Sequence, residues 1–203
     1  MIILGFDTAL DKMYVALKKD NEFLASEIVE NKDGKYHSAF LISTIKEVLK
    51  KNGLKPGDID LIATNIGPGS FTGIRACITV ARMMAQQLNC GVIGISSLKI
   101  LSKLSSKNPL VALDARKHSA YLYIDEKIQG AIDLDEIKKI IENKDYDIIT
   151  DKKMYEIFGG RIYDENSPNL GEILVNIAQE ESKSSNLDWR KLKPLYIQPP
   201  PMG

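Results

Sequence analysis

The stretch Asn65–Arg75, "NIGPGSFTGIR", places three glycines and a proline where an apolar strand, "DLIATNI", meets an apolar helix. A strand-to-helix turn built this way is either a phosphate cradle or a tight bend with another use. A Walker loop needs four residues between its glycines, then lysine with serine or threonine. Gly69 and Gly73 have three between them, and no lysine follows. A dinucleotide fingerprint needs GxGxxG and an acidic ribose ligand after the next strand. Gly67, Gly69 and Gly73 give GxGxxxG, and "GVIGIS" ends without an acid. What remains is Ser70 as an N-cap, Gly73 permitting a close approach, and backbone N–H groups that meet either an anion or their own chain.

Along the helix that follows, Arg75, Thr79, Arg82 and Gln86 recur at intervals of four, three and four, and apolar residues fill the rest of the circumference. One sheet cannot bury that much. A second helix of the chain or a partner protein must cover the surplus, and the adaptable Met83 and Met84 suit an exchangeable interface.

Upstream, "MIILGFD", "MYVALKK" and "EFLASEIVE" predict a three-stranded meander, and "YHSAFLISTIKEVLKKNG" predicts a helix stopped at Gly53. With the strands around the bend the order is β-β-β-α-β-α-β, followed by a capped helix from Ser96 or Ser97. From Pro109 the chain repeats itself: at one shift of 107 residues Asp7 falls on Asp114, Tyr14 on Tyr121, and Leu4, Phe6 and Leu17 on Val111, Leu113 and Ile124. A helix "LDEIKKIIENK", a strand "YDIIT" and a helix near "LGEILVNIAQEE" follow. The tail "KPLYIQPPPMG" is proline-rich and expected to lie extended. The expected division is an N-terminal lobe, 1–106, and a reduced C-terminal lobe, 107–203.

Of 203 residues, 44% are hydrophobic and 27% charged, the balance of an ordinary soluble globular protein. Lysine plus arginine equals aspartate plus glutamate at 27 each, so no global field draws the chain to nucleic acid or anionic membrane. No apolar run approaches the roughly 20 residues of a membrane span, and "MIILGF" lacks a basic leader. A cytoplasmic protein is expected, with Cys77 and Cys90 as reduced thiols.

"GFDTA", "HSAFLISTIKEVL", "IGPGSFTGIR" and "ALDARKHSAYLYI", in that order over most of residues 1–125, resemble the TsaB family; beyond them only "PLYIQ" is similar. The resemblance implies a duplicated two-lobed α/β fold of the actin, hexokinase and Hsp70 type. It also implies a part in making N6-threonylcarbamoyladenosine next to the anticodon of transfer RNA. In that family TsaB is the noncatalytic companion of its relative TsaD, which carries the metal and transfers the threonylcarbamoyl group. TsaE, an ATPase, joins the pair, and TsaC makes the activated intermediate. Two helices of the front lobe form the family's interface, in homodimers or with TsaD, and match 36–51 and 71–89 here. The contact residues expected on them are Leu41, Ile45, Arg75, Ile78, Thr79, Arg82, Met83 and Met84.

The residues themselves agree with a noncatalytic part. The catalytic relative holds metal with two histidines four apart, whereas Leu41 stands four residues after His37; His118 is remote from it in sequence. The turns "DTALDK" and "DARKHS" lack the glycines with which actin-type ATPases wrap phosphates, leaving Asp7, Thr8 and Asp114 as a vestigial nucleotide contact. Ser38 and His37 point apart on a helix, so no nucleophile has a base. No catalytic residue, metal site or cofactor is assigned. The rival reading is an ATPase or small-molecule kinase of the same fold. Gln198 departs from the arginine that relatives often carry.

Overall fold

The structure, a computed structural model, describes residues 1–30, 37–166 and 168–197; Gln198 and the end of the tail lie outside them. The first sheet contains β1 (Ile2–Asp7), β2 (Met13–Lys19), β3 (Glu22–Val29), β4 (Leu61–Asn65) and β5 (Gly91–Ile95), in the order β3-β2-β1-β4-β5. A single 3-10 turn, His37–Phe40, leads into α1 (Leu41–Lys51), and α2 (Phe71–Leu88) joins β4 to β5. Helix α1 stops where Gly53 takes a positive φ of 66°, as its place after the two lysines predicts. The second half adds α3 (Ser97–Ser102), β6 (Pro109–Arg116), β7 (Ser119–Ile124), β8 (Lys127–Asp133), α4 (Leu134–Asn143), β9 (Asp147–Thr150), α5 (Lys152–Phe158), β10 (Arg161–Ile162) and α6 (Leu170–Glu181).

Strands β1 and β2 are apolar almost without a break because both faces of their sheet are covered. On one face Leu4, Phe6, Val15 and Leu17 pack with Leu41, Ile45, Val48, Cys77 and Ile78 of α1 and α2. The other face receives α6, where the buried Lys18 ammonium donates to Asn176 Oδ1 at 2.6 Å and the Asn169 side chain bonds the Ser26 hydroxyl.

The chain therefore divides differently from the expected cut at 106. One compact unit is Met1–Ser97 together with Asn169–Leu195, and the second is built on Leu98–Pro168. The residues assigned to the end of the second lobe return to the first because its sheet has a second apolar face to fill. After α6 the chain makes a 3-10 turn at Trp189–Lys191, and Leu192 and Trp189 join the core around α2. Part of the apolar surplus of α2 is thus covered from within the chain.

In the second unit the strand order is β8-β7-β6-β9-β10, with the same parallel and antiparallel pairings as β3-β2-β1-β4-β5. This is the duplicated two-lobed α/β fold of the actin, hexokinase and Hsp70 type. The residue match behind the repeat is only half in register. Asp7 pairs across its hairpin with Tyr14, but Asp114 pairs with Ala120, one residue short of Tyr121, and a bulge follows it. Leu4 and Phe6 face the helices of their unit, whereas Leu110 and Ala112, rather than Val111 and Leu113, face the helices of theirs; Leu17 and Ile124 do correspond. Strand β8, helix α5 and strand β10 carry no pattern long enough to read in sequence.

The bend between β4 and α2 rests on the turn after β1. Ser70 N–H donates to the Ala9 carbonyl at 2.7 Å, and the Thr8 hydroxyl donates to the Gly73 carbonyl at 2.8 Å. A β-carbon on Gly73 would lie 1.8 Å from the Thr8 carbonyl oxygen, and one on Gly69 would lie 2.3 Å from that of Ala9. Backbone meets backbone, and neither side has a flexible end to yield. Gly73→Ala is expected to cost at least about 2 kcal/mol in urea unfolding. Gly57→Ala, where an added carbon meets nothing within 4 Å, should stay within about 0.5 kcal/mol of wild type. Equal unfolding midpoints for the two variants would contradict the contact.

Candidate functional site

The free N–H groups of a helix start are the reason a glycine bend can hold an anion. Here three N–H groups around the start of α2 are answered by its own chain. The Ser70 hydroxyl accepts from Gly73 N–H at 3.2 Å, the Ser70 carbonyl accepts from Ile74 N–H at 2.8 Å, and Ser70 N–H is spent on Ala9.

Asp7 and Thr8 take part in this joint rather than facing an open site. Asp7 is 1% exposed; its carboxylate accepts from Ala9 N–H at 2.6 Å and from the Asn65 amide at 2.8 Å. The Asn65 carbonyl oxygen in turn accepts from Gly67 N–H and from the Ser97 hydroxyl, which also lies 2.6 Å from the Pro68 carbonyl. Thr8 N–H donates to Cys77 Sγ at 3.1 Å. Burial, and secondly the nearby Asp7, push the Cys77 thiol up to about 12, so it is an inert core sulfur.

Asp114 stands in a different setting. Its two carboxylate oxygens each lie 2.9 Å from the Lys153 ammonium, and one accepts from Arg116 N–H. It is an ion-paired strand residue near the end of β6. Nearby, the structure assembles what sequence alone does not: Asp133 and Asp135, at the start of α4, bring carboxylate oxygens within 4.8 Å of a His118 ring nitrogen. All three are exposed. Asp133 caps α4 through Asp135 N–H, and the Lys138 ammonium, then His118, hold Asp135 below the usual carboxylate range. The side chain of His37 lies outside the described residues.

The residues assigned to an interface on α1 and α2 separate into two sets. Leu41, Ile45 and Ile78 are 0%, 3% and 5% exposed and belong to the core of their own unit, and Ile45 also lines the groove between the two helices. Apolar residues at helical spacing mark core and interface alike, and only the position of the sheet tells them apart. Arg75, Thr79 and Met83 are exposed, while Arg82 and Met84 are half-buried. Two exposed residues absent from the expected set complete the surface: Phe40 and Ile42. Ile42, Met83, Met84 and Leu88 line an apolar groove of about 230 Å³ between the two helices. At the start of α2 the Arg75 guanidinium lies 4.1 Å over the exposed Phe71 ring. Among the described residues no helix is long and apolar enough to cross a membrane.

A family model described as "TsaD: tRNA N6-adenosine threonylcarbamoyltransferase" matches residues 24–147, more than half of the chain. The chain is 29% identical over 217 aligned positions to the tRNA threonylcarbamoyladenosine biosynthesis protein TsaB of Buchnera aphidicola from Schizaphis graminum, covering 93% of this chain and 98% of that protein. To the Escherichia coli protein of the same name it is 31% identical, over 60% of this chain and 53% of that one. Among solved structures, YeaZ from Pseudomonas aeruginosa superposes with a TM-score of 0.71 over 96% of this chain and 99% of its own, at 22% identity, which establishes likeness of fold.

Burial, opposed by the Asn65 and Ala9 hydrogen bonds, raises the Asp7 carboxyl from 3.8 to about 6. The folded state then holds the proton more tightly than the unfolded chain. Its contribution to stability is complete below about pH 3.8 and is lost as pH rises through about 6. The stability of wild type relative to Asp7→Asn should therefore fall between about pH 4 and about pH 7, by up to ~3 kcal/mol. Urea unfolding of both proteins across that range checks the slope; a flat or rising difference contradicts it.

Proposed function

The chain belongs to the TsaD family as a TsaB-type member, and from that premise we propose that it is a noncatalytic subunit in the biosynthesis of threonylcarbamoyladenosine on tRNA. In this reading α1 and α2 dock on a TsaD-like enzyme and hold it in a competent arrangement. A TsaE-like ATPase joins the complex, and tRNA is met only through it. A second copy of the chain occupies the same face when the enzyme is absent.

The observation that carries the reading is the exposed apolar face of α1 and α2. Ile42 is 52% and Met83 50% exposed beside a groove whose walls are apolar. Large apolar side chains held open to water along a helix pair are the mark of a docking surface. The rival reading, an ATPase or kinase, needs the turn after β1 to be open to phosphate. Ser70 and Gly73 are pressed into that turn, and the carboxylate beside it is shut in by Asn65 and Ala9.

Met83→Asp and Ile42→Asp should leave the circular dichroism and thermal transition of the chain unchanged while weakening binding to the co-expressed TsaD-like protein by at least about thirtyfold, roughly 2 kcal/mol. Ile78→Asp should fail to fold, because it puts a charge in the core. Wild-type binding by both exposed-face variants, or turnover of magnesium ATP by the isolated chain in a calorimeter, would overturn the proposal.

A further inference from the structure

Strand β5 is an edge of the first sheet, and a sheet edge presents N–H and C=O groups that need cover. Gly91 N–H donates to the Asp60 carbonyl and the Ile95 carbonyl accepts from Ile66 N–H. Residues 91, 93 and 95 therefore turn their main chain inward to β4, and Val92 and Gly94 turn theirs outward. The segment after α6 covers this edge incompletely. The Leu187 carbonyl takes Val92 N–H at 3.1 Å, and Leu195 N–H donates to the Ile66 carbonyl at 2.9 Å. Between those bonds the chain rises into the 3-10 turn Trp189–Lys191 and sinks Leu192 into the core. Among the described residues nothing takes the outward N–H or C=O of Gly94. A cavity of about 300 Å³ lies there, lined by Gly94, by Asp188, Lys191 and Lys193 of the overlying segment, and by Glu181 at the end of α6. The Asp188 carboxylate is occupied, accepting from Arg190 N–H at 2.9 Å and lying 3.4 Å from the Arg190 guanidinium. Lys191 and Lys193 are exposed and have no ion-pair partner among the described residues.

We infer that this cavity binds the carboxylate end of an N-acylated amino-acid residue. Two residues that face each other in an antiparallel pair exchange both of their N–H···O bonds, and Gly94 has both halves of such an exchange open. A terminal residue completes it in one piece. Its amide N–H donates to the Gly94 carbonyl, a carboxylate oxygen accepts from Gly94 N–H, and the ammonium groups of Lys191 and Lys193 answer the charge. Main-chain pairing at a sheet edge and capture of a terminal carboxylate are both recurrent modes of recognition, and an ionised acceptor strengthens the bonds it takes. Glu181 in the same wall repels a second negative charge, so a monoanionic carboxylate fits better than a phosphate dianion. The volume is at the small end of ligand cavities, which suits one or two residues rather than a whole added strand. The same chemistry is offered by a free N-acyl amino acid and by the last residue of a protein chain. The cavity shares no residue with the groove of α1 and α2, so the inference is independent of the docking reading.

The test titrates the full isotope-labelled chain with N-acetyl dialanine as the free acid and follows the Gly94 amide by NMR. A saturable shift of that resonance is expected, and the carboxamide of the same compound should bind at least ~tenfold more weakly. Inorganic phosphate should also bind more weakly than the acid. The double variant Lys191→Gln/Lys193→Gln changes two exposed positions and should keep the wild-type thermal transition. Its affinity for the acid should be at least ~tenfold lower, and wild-type affinity should fall on raising salt from about 50 to about 500 mM. A peptide of about six residues with the same last two separates the sources. Affinity equal to that of the acetyl compound assigns a small N-acyl amino acid to the cavity, and binding at least ~tenfold tighter assigns a chain end. A Gly94 amide unmoved at about 10 mM acid, a carboxamide that binds as well as the acid, or undiminished binding by the double variant would overturn the inference.

Discussion

The carbonyls of Thr8 and Ala9 lie so close to the start of α2 that only glycine fits at 69 and 73. This contact fixes the helix to β1 at one end, and the arrangement of the front unit follows from it. A helix N-terminus presents N–H groups and a partial positive charge, which in a phosphate loop are met by anionic oxygens. Here a neutral carbonyl oxygen of the same chain, that of Ala9, takes one of those N–H groups. The bend matches neither phosphate spacing, and it is shaped to a neighbouring turn. Asn65 and Ser97 lock the far side of the bend through Gly67 and Pro68, so α2 is held at a set angle. A face on such a helix is preorganised, and little ordering cost is left for a partner to meet.

What could be read from sequence followed the length of the pattern. The strands and helices of residues 1–97 were legible because each has its full period, its cap or its stop: Gly53 after α1, Ser70 before α2. Strand β8 was not, since its alternation is broken at Gly130, which sits at a φ of 112°; α5 is seven residues long, too short to show a period. The return of α6 was hidden for a different reason. Its apolar side announces that it needs a sheet, but nothing in "LGEILVNIAQEE" says which of two. Leu41, Ile45 and Ile78 are the same difficulty on a smaller scale: they share the chemistry of Ile42 and Met83, and differ only in which way the helix is turned.

The two strand-ending aspartates show how far a repeat carries. The sheets have the same order, so the duplication is real as topology. Yet the second hairpin is one residue out of step with the first, and the environments have diverged with it. Asp7 is sealed, with a carboxyl that burial keeps reluctant to ionise. Asp114 is partly exposed and gripped by a lysine ammonium. Desolvation sets the behaviour of one and an opposite charge surrounds the other. A shared residue type at a shared place therefore assigns no shared role.

Net neutrality of the chain conceals the segregation on α1 and α2, because a formal sum has no geometry. On these helices Lys46, Lys50, Arg75 and Arg82 are exposed or half-buried, and the one acid among them, Glu47, is paired with Lys51. An apolar stripe alone discriminates poorly, since any greasy helix of fitting shape buries it equally well. The methionines accentuate this, being able to repack against many surfaces.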